Sequence, residues 1–182
     1  MNVLIIGPSG SGKDTQSAIL EEKFGFKSLS TGSILRSEVK KGSKIGKEIS
    51  KYMDQGKWVP TEITYQLLGE EYSKLDSKNI IFNGVVRYPD QVKLLDNLVG
   101  LKGNKIDKVL LLNLDNKAAI ERLTARGRKD DKEELIISRL NEFKESFESI
   151  IEQYNQRGIL INIDASKTIE EIHKQIVKNL NL

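Results

Sequence analysis

The clearest regularity along the chain is a set of short apolar runs without alternation. Val3, Leu4, Ile5 and Ile6 form the first, and runs at 80–82, 109–112 and 159–163 repeat it, with a weaker echo at 28–30. Unbroken apolar runs of this length mark strands covered on both faces, the situation in a parallel sheet flanked by helices. Between them, apolar positions recur at helical spacing. Ile63, Leu67, Leu68, Tyr72 and Leu75 make one stripe, with Thr61 as its candidate cap. Ile136, Leu140, Phe143, Phe147, Ile150 and Tyr154 make a longer stripe behind Asp131 and Glu134. Ile169, Ile172, Ile176 and Leu180 make the last, behind Thr168 and Glu171. All three stripes are read as core. Strand and helix alternate from end to end, which predicts an α/β fold, a doubly wound parallel five-stranded sheet with helices on both faces. Such sheets bind ligands beyond the carboxyl ends of their strands, so the residues that follow each run carry the functional question.

The first run leads straight into Gly7-Pro8-Ser9-Gly10-Ser11-Gly12-Lys13-Asp14-Thr15. Glycines let the backbone curl until successive N–H groups face an anion, and a helix starting at Lys13 adds unpaired donors and the positive end of its dipole. Lys13 contributes a mobile charge for terminal phosphates, and a hydroxyl just inside the helix can hold magnesium. The hydroxyl normally follows the lysine directly. Here Asp14 intervenes and Thr15 supplies it.

Composition narrows the partners. The 182 residues suit one domain, and the excess of three positive charges is spread along the chain, against the concentrated basic face of a nucleic-acid binder. With no cysteine and one histidine, His173, the chain offers neither disulfides nor a cysteine or histidine zinc site. The first apolar run is too short for a signal peptide or membrane span. These features predict a soluble cytoplasmic protein, a monomer, that acts on small anionic molecules and has neither nucleic acid nor membrane as partner.

The other strand exits are rich in arginine. Arg36 follows Ser30-Thr31-Gly32-Ser33, Arg87 follows Asn83-Gly84-Val85-Val86, and Arg122, Arg126, Arg128 and Arg139 follow the fourth strand. One arginine alone reads as a solvated side chain, but Arg36, Arg87, Arg126, Arg128 and Arg139 together near strand exits that face one phosphate loop suggest a site for several phosphates. A helical stretch over 40–75 is too long for a simple crossover. Within it Gly56-Lys57-Trp58-Val59-Pro60 reads as a loop that reaches a second substrate, or Trp58 as a packing anchor between helices.

These segments together resemble adenylate kinases over nearly the whole chain and in the family's order. The resemblance implies a P-loop NTPase fold of the nucleoside monophosphate kinase type and reversible, magnesium-dependent phosphoryl transfer from ATP to AMP. It implies ATP on Gly10, Ser11, Gly12, Lys13, Asp14 and Thr15, with Arg122, Arg126 and Lys167 beside the same nucleotide and Thr15 near magnesium. AMP would meet Thr31, Arg36, Lys57, Trp58, Val59, Gly84, Val85, Val86, Arg87, Gln91, Arg128 and Arg139. Gln91 would pair with the adenine edge through one donor and one acceptor. Lys13, Arg87, Arg126, Arg128 and Arg139 would form the catalytic charge cluster. The implied layout is a single domain over 1–182 with an AMP-binding helical insert at about 31–60. A short lid at about 126–131 would lack the zinc-holding insert, and Gly127 there is either a hinge or an ordinary helix end.

Three positions depart from the family pattern. Asn83 stands for its acid, Ser33 replaces the acid after Thr-Gly, and Asp14 replaces the glycine after the lysine; Val85-Val86 also replaces Phe-Pro. The expectation is that Asp14 partly compensates for the carboxylate lost at Asn83, or that magnesium binds more weakly. The rival readings are a kinase for UMP, CMP or dTMP, and a nucleotide-binding regulatory module without transfer activity. A P-loop GTPase is the less favoured reading: Asn113-Leu114-Asp115 lies at the right kind of strand end for reading guanine but lacks the lysine.

Overall fold

Each apolar run becomes one strand of a single parallel sheet. The computed structural model describes residues 1–76, 78–128 and 131–182. Strands β1 (Val3–Ile6), β2 (Lys27–Ser30), β3 (Ile80–Asn83), β4 (Lys108–Asn113) and β5 (Leu160–Asp164) lie in the order β2-β3-β1-β4-β5. The weak run became the edge strand β2, where only Leu29 is buried. An edge strand with one exposed face does not need an unbroken apolar run.

The helices are α1 (Lys13–Phe24), α2 (Thr31–Lys41), α3 (Lys44–Met53), α4 (Thr61–Ser73), α5 (Asp90–Gly100), α6 (Asn116–Arg126), α7 (Glu133–Gln156) and α8 (Ile169–Leu180). Side chains alternate across the sheet and split the core in two. Val3 and Ile5 of β1 pack with Leu20 of α1 and with Ile172, Ile176 and Leu180 of α8. Leu4 and Ile6 pack on the other face with Leu68 and Tyr72 of α4, Val92, Leu95 and Val99 of α5, and Phe147, Ile150 and Tyr154 of α7. The connections that leave the neighbouring strands β1 and β3 therefore run to opposite faces. That divergence opens a crevice at the strand ends. A third cluster of Ile49, Val59 and Leu67 gives α3 and the loop before α4 a small core of their own.

Three expected terminal details differ. Thr61 is not the cap of α4: Pro60 holds that position, and the Thr61 hydroxyl accepts from Gln91 Nε2 at 2.8 Å. Asp131 does not cap α7; Lys132 is the N-cap residue and makes no side-chain capping bond, while Asp131 is spent on arginines. Ile169 does not turn inward but is 52% exposed. The Thr168 and Glu171 capping box forms as the spacing predicts. Gly127 ends α6 in the left-handed conformation, with its N–H on the Leu123 carbonyl. Lys129 and Asp130 of the expected lid lie outside the described residues. Among the described residues no helix is long and apolar enough to cross a membrane.

Candidate active site

Backbone shape builds one side of the crevice. Gly7 and Gly10 take φ of +148° and +85°, and a Cβ at Gly7 would stand 2.6 Å from the Leu112 carbonyl oxygen. A Cβ at Gly10 would stand 3.0 Å from that of Ala119. The loop can thus press against β4 and α6 only without side chains. Gly12, the N-cap residue of α1, has no side chain to satisfy the first N–H groups, which leaves them for an anion. Lys13 Nζ donates to the carbonyls of Gly7 at 2.8 Å and Pro8 at 2.7 Å, and reaches Ser11 Oγ at 3.4 Å. Burial of the ammonium, then the like charge of Arg87, pulls its pKa down to about 7; Asp14 opposes the shift and Arg126 adds to it.

The two departures in the metal region touch each other. Asn83 Nδ2, at the end of β3, donates to Asp14 Oδ1 at 2.9 Å and to Ser17 Oγ at 3.3 Å. The amide therefore holds the carboxylate at the mouth of the loop, next to Thr15, and both Asp14 and Thr15 line the cavity. Arg128 Nη2 approaches the same carboxylate at 3.7 Å.

The opposite side is assembled from distant segments. Thr31 Oγ1 donates to the Gly84 carbonyl at 2.5 Å, with the Asn83 carbonyl at 3.2 Å. This joins α2 to the exit of β3. Arg36 lies over Gly32, where a Cβ would meet its Nη1 at 2.9 Å, and donates to Ser33 Oγ at 3.3 Å. The Arg87 guanidinium stacks on Trp58, 3.5 Å from the ring centroid. Its pKa falls to about 10 through burial and then through Arg139, so it stays charged at neutral pH. Gln91 is more committed than expected. Its oxygen accepts from the backbone N–H of Arg87 at 2.7 Å and of Tyr88 at 3.2 Å, and one amide proton goes to Thr61. One N–H is left for a ligand in place of the anticipated donor and acceptor pair.

The third wall carries arginines. Asp131, its side chain fully buried, accepts from Arg126 Nε at 2.8 Å and Nη2 at 2.7 Å, and from the Arg128 backbone N–H at 3.1 Å. Arg139 Nη2 stands 3.5 Å from the same carboxylate. Burial alone would raise the Asp131 pKa, but the Arg126 and Arg128 hydrogen bonds and the nearby positive charges outweigh it and hold it below the usual range. Arg122 Nη1 donates to the Ala165 carbonyl at 2.9 Å and ties α6 to the loop after β5, where Lys167 lies.

These walls enclose a cavity of about 560 Å³, well within the range for small-molecule sites. Gly10, Gly12, Lys13, Asp14, Thr15, Arg36, Trp58, Gly84, Arg87, Arg122, Arg126, Arg128, Arg139 and Lys167 line it. An adjoining chamber of about 90 Å³ takes in Thr31, Lys57, Val59, Val85 and Gln91. Gly32, Arg36, Trp58, Gly84, Arg87 and Arg139 belong to both, so they form the shared wall. Over Gly84, one point lies 3.7 Å from Arg87 Nη2, 3.8 Å from Thr31 Oγ1 and 4.0 Å from Lys13 Cε. Ser11 is fully buried and supports Lys13, and Val86 belongs to the core and borders a small void beside Phe143. Sequence reasoning missed four supporting residues. Ile169 and Leu123 form an apolar wall beside Arg122, Asp131 anchors the arginines, and Tyr65 donates to the Val85 and Gln91 carbonyls. The capping position of Asp131 and the helical periodicity of Ile169 masked two of these roles, and no motif marked Leu123 or Tyr65.

The family model described as adenylate kinase matches residues 5–159. Similar proteins include the adenylate kinase of Azobacteroides pseudotrichonymphae genomovar. CFP2, 38% identical over 100% of this chain and 97% of that protein. The adenylate kinase of Synechococcus sp. (strain WH7803) is 36% identical over 98% of this chain and 97% of its own length. That of Corynebacterium glutamicum (strain R) is 34% identical over 99% of each.

Proposed function

Because the chain belongs to the adenylate kinase family, we propose that the cavity holds ATP and AMP end to end and passes one phosphoryl group between them, giving two ADP. The observation that carries this reading is the shared wall, where Lys13 from the phosphate loop and Arg87 from the far side reach one point over Gly84. Residues 31–60 are the acceptor insert and 126–131 the lid in this assignment. ATP takes the phosphate loop, with its base toward Arg122, Ile169 and Lys167. AMP takes the smaller chamber, with its phosphate at Arg36 and Arg87. A monomer in the cytoplasm belongs to the same reading.

The chemistry follows from positioning and charge. A phosphate oxygen of AMP attacks the terminal phosphorus of ATP as the bond to the bridging oxygen breaks, and no side-chain nucleophile is needed. Lys13, Arg87, Arg126, Arg128 and Arg139 stabilise the charge spread over the moving group, and closure of the arginine wall keeps water from acting as acceptor. Among the described residues no group of three or more acidic or histidine side chains could cage a metal. The oxygens of Thr15 and Asp14 fit magnesium, which takes one or two protein oxygens and completes its shell with phosphates and water. Magnesium supplies neutralisation of the phosphate charge. Asn83 would hold the Asp14 carboxylate beside the metal in place of an acid at 83, and Asn83→Asp, which supplies that acid, should lower the magnesium concentration needed for half-maximal rate; an unchanged requirement would refute a magnesium role for this pair.

A coupled assay tests the function. ATP, AMP and magnesium together should yield ADP, while GTP as donor and UMP, CMP or dTMP as acceptor should react far more slowly. Binding of both nucleotides without ADP formation would leave a regulatory module instead.

A further inference from the structure

Three positive groups, Arg36, Arg87 and Arg139, line the wall shared by the two chambers, and Lys13 lines the larger one beside it. Among the described residues no ion pair or side-chain hydrogen bond to a carboxylate holds the Arg87 guanidinium. Glu142 and Asp14 offer it only more distant negative charges. Repulsion and the entropy of a long side chain would turn such a group out toward solvent. What covers it is the Trp58 ring, 3.5 Å beneath the guanidinium carbon. Trp58 is half-buried and borders both chambers, so the ring is part of the site wall rather than of the helix core.

Geometry gives the stack a purpose. A guanidinium presents its five N–H donors in its plane, and an aromatic ring takes only its face. The donor edge therefore stays available for a pair of phosphate oxygens while the group is fixed in place. A carboxylate partner would have consumed that edge. We infer that Trp58 is a positioning residue that holds Arg87 in its phosphate-binding orientation before the monophosphate arrives. The inference rests on the two-nucleotide reading and deepens it, since it assigns to one side chain the readiness of the acceptor site.

Trp58 is the only tryptophan in the chain, so it also reports on its own contact. Replacing the ring with an aliphatic group should act on the monophosphate and spare the triphosphate. Trp58→Leu is expected to raise KM for AMP about tenfold, equivalent to ~1.4 kcal/mol, with kcat and KM for ATP within about twofold of the native protein. Trp58→Phe, which keeps a ring face, should recover most of the loss. In the native protein AMP alone should shift the Trp58 emission as phosphate draws on Arg87. An equal loss in the Leu and Phe variants, a KM for AMP within twofold of native in Trp58→Leu, or equal changes in both KM values would overturn the role. So would a flat emission titration at AMP concentrations that calorimetry shows to be saturating. If calorimetry detects no AMP binding to the native protein, the two-nucleotide reading itself falls, and the role of Trp58 with it.

Discussion

The proposed phosphate loop is built from nine consecutive residues, 7–15, whereas the wall facing it gathers Thr31, Arg36, Trp58, Gly84, Arg87, Gln91 and Arg139 from separate segments. On the loop side the binding groups are backbone N–H donors aimed by glycine dihedrals, with Lys13 folded back on the carbonyls of Gly7 and Pro8. On the other side the groups are side chains, and two of them are held by a partner remote in sequence: Arg87 by Trp58 and Gln91 by Thr61. A cradle made from local backbone geometry depends little on what packs around it. A wall made from side chains fails wherever its supports fail, even if no ligand-touching residue has changed.

The sharpest test of this contrast removes one charge from each side. Lys13→Ala and Arg87→Ala should each cost roughly 3 kcal/mol or more in kcat/KM, the magnitude lost when one preorganised charge-stabilising donor is removed. Steady-state kinetics against both substrates checks it; near-native turnover in either variant would refute the shared charge cluster. A smaller effect should follow from Asp131→Ala, which touches no nucleotide in the proposed assignment. It strips the buried carboxylate from Arg126 and Arg139, and denaturant unfolding should show a loss of about 2–3 kcal/mol. An unchanged unfolding midpoint would mean that the arginine wall does not rely on its anchor.

The smallest effect concerns protons. With its pKa near 7, the Lys13 amine of the free protein is largely neutral at pH 8. Phosphate oxygens favour the ammonium and raise that pKa, so ATP binding at pH 8 should take up as much as one proton. The complex then holds more protons than the free protein, and affinity should fall as pH rises above 7, by up to about tenfold per unit. Calorimetry in buffers of different ionisation enthalpy measures the uptake. Proton release, or none, would show that the ammonium is already charged when empty.

Much of the site was legible because the family motifs lie where the chain leaves its strands, and Gly7 to Thr15 carry their geometry in their own glycines. What escaped involved side chains with two possible employments. Thr61 and Asp131 are both good capping residues by type and position, yet Gln91 claims the one and Arg126 the other. Gln91 has the donor and acceptor that an adenine edge needs, but the backbone of 87 and 88 takes its oxygen. Ile169 keeps helical spacing with the core positions of α8, though its place in the first turn brings it to the cavity.

Asp14 and Asn83 show the division most directly. Each was a separate departure when read along the chain, and 69 residues divide them. The sequence by itself determined the strands, the phosphate loop and the residue types at each strand exit, because apolar runs and glycine dihedrals act locally. That Asn83 would hand its amide to Asp14, and that Trp58 would lie beneath Arg87, only the tertiary structure decided. Both contacts depend on how the parallel sheet brings the ends of β1 and β3 together and on how the insert folds back over them.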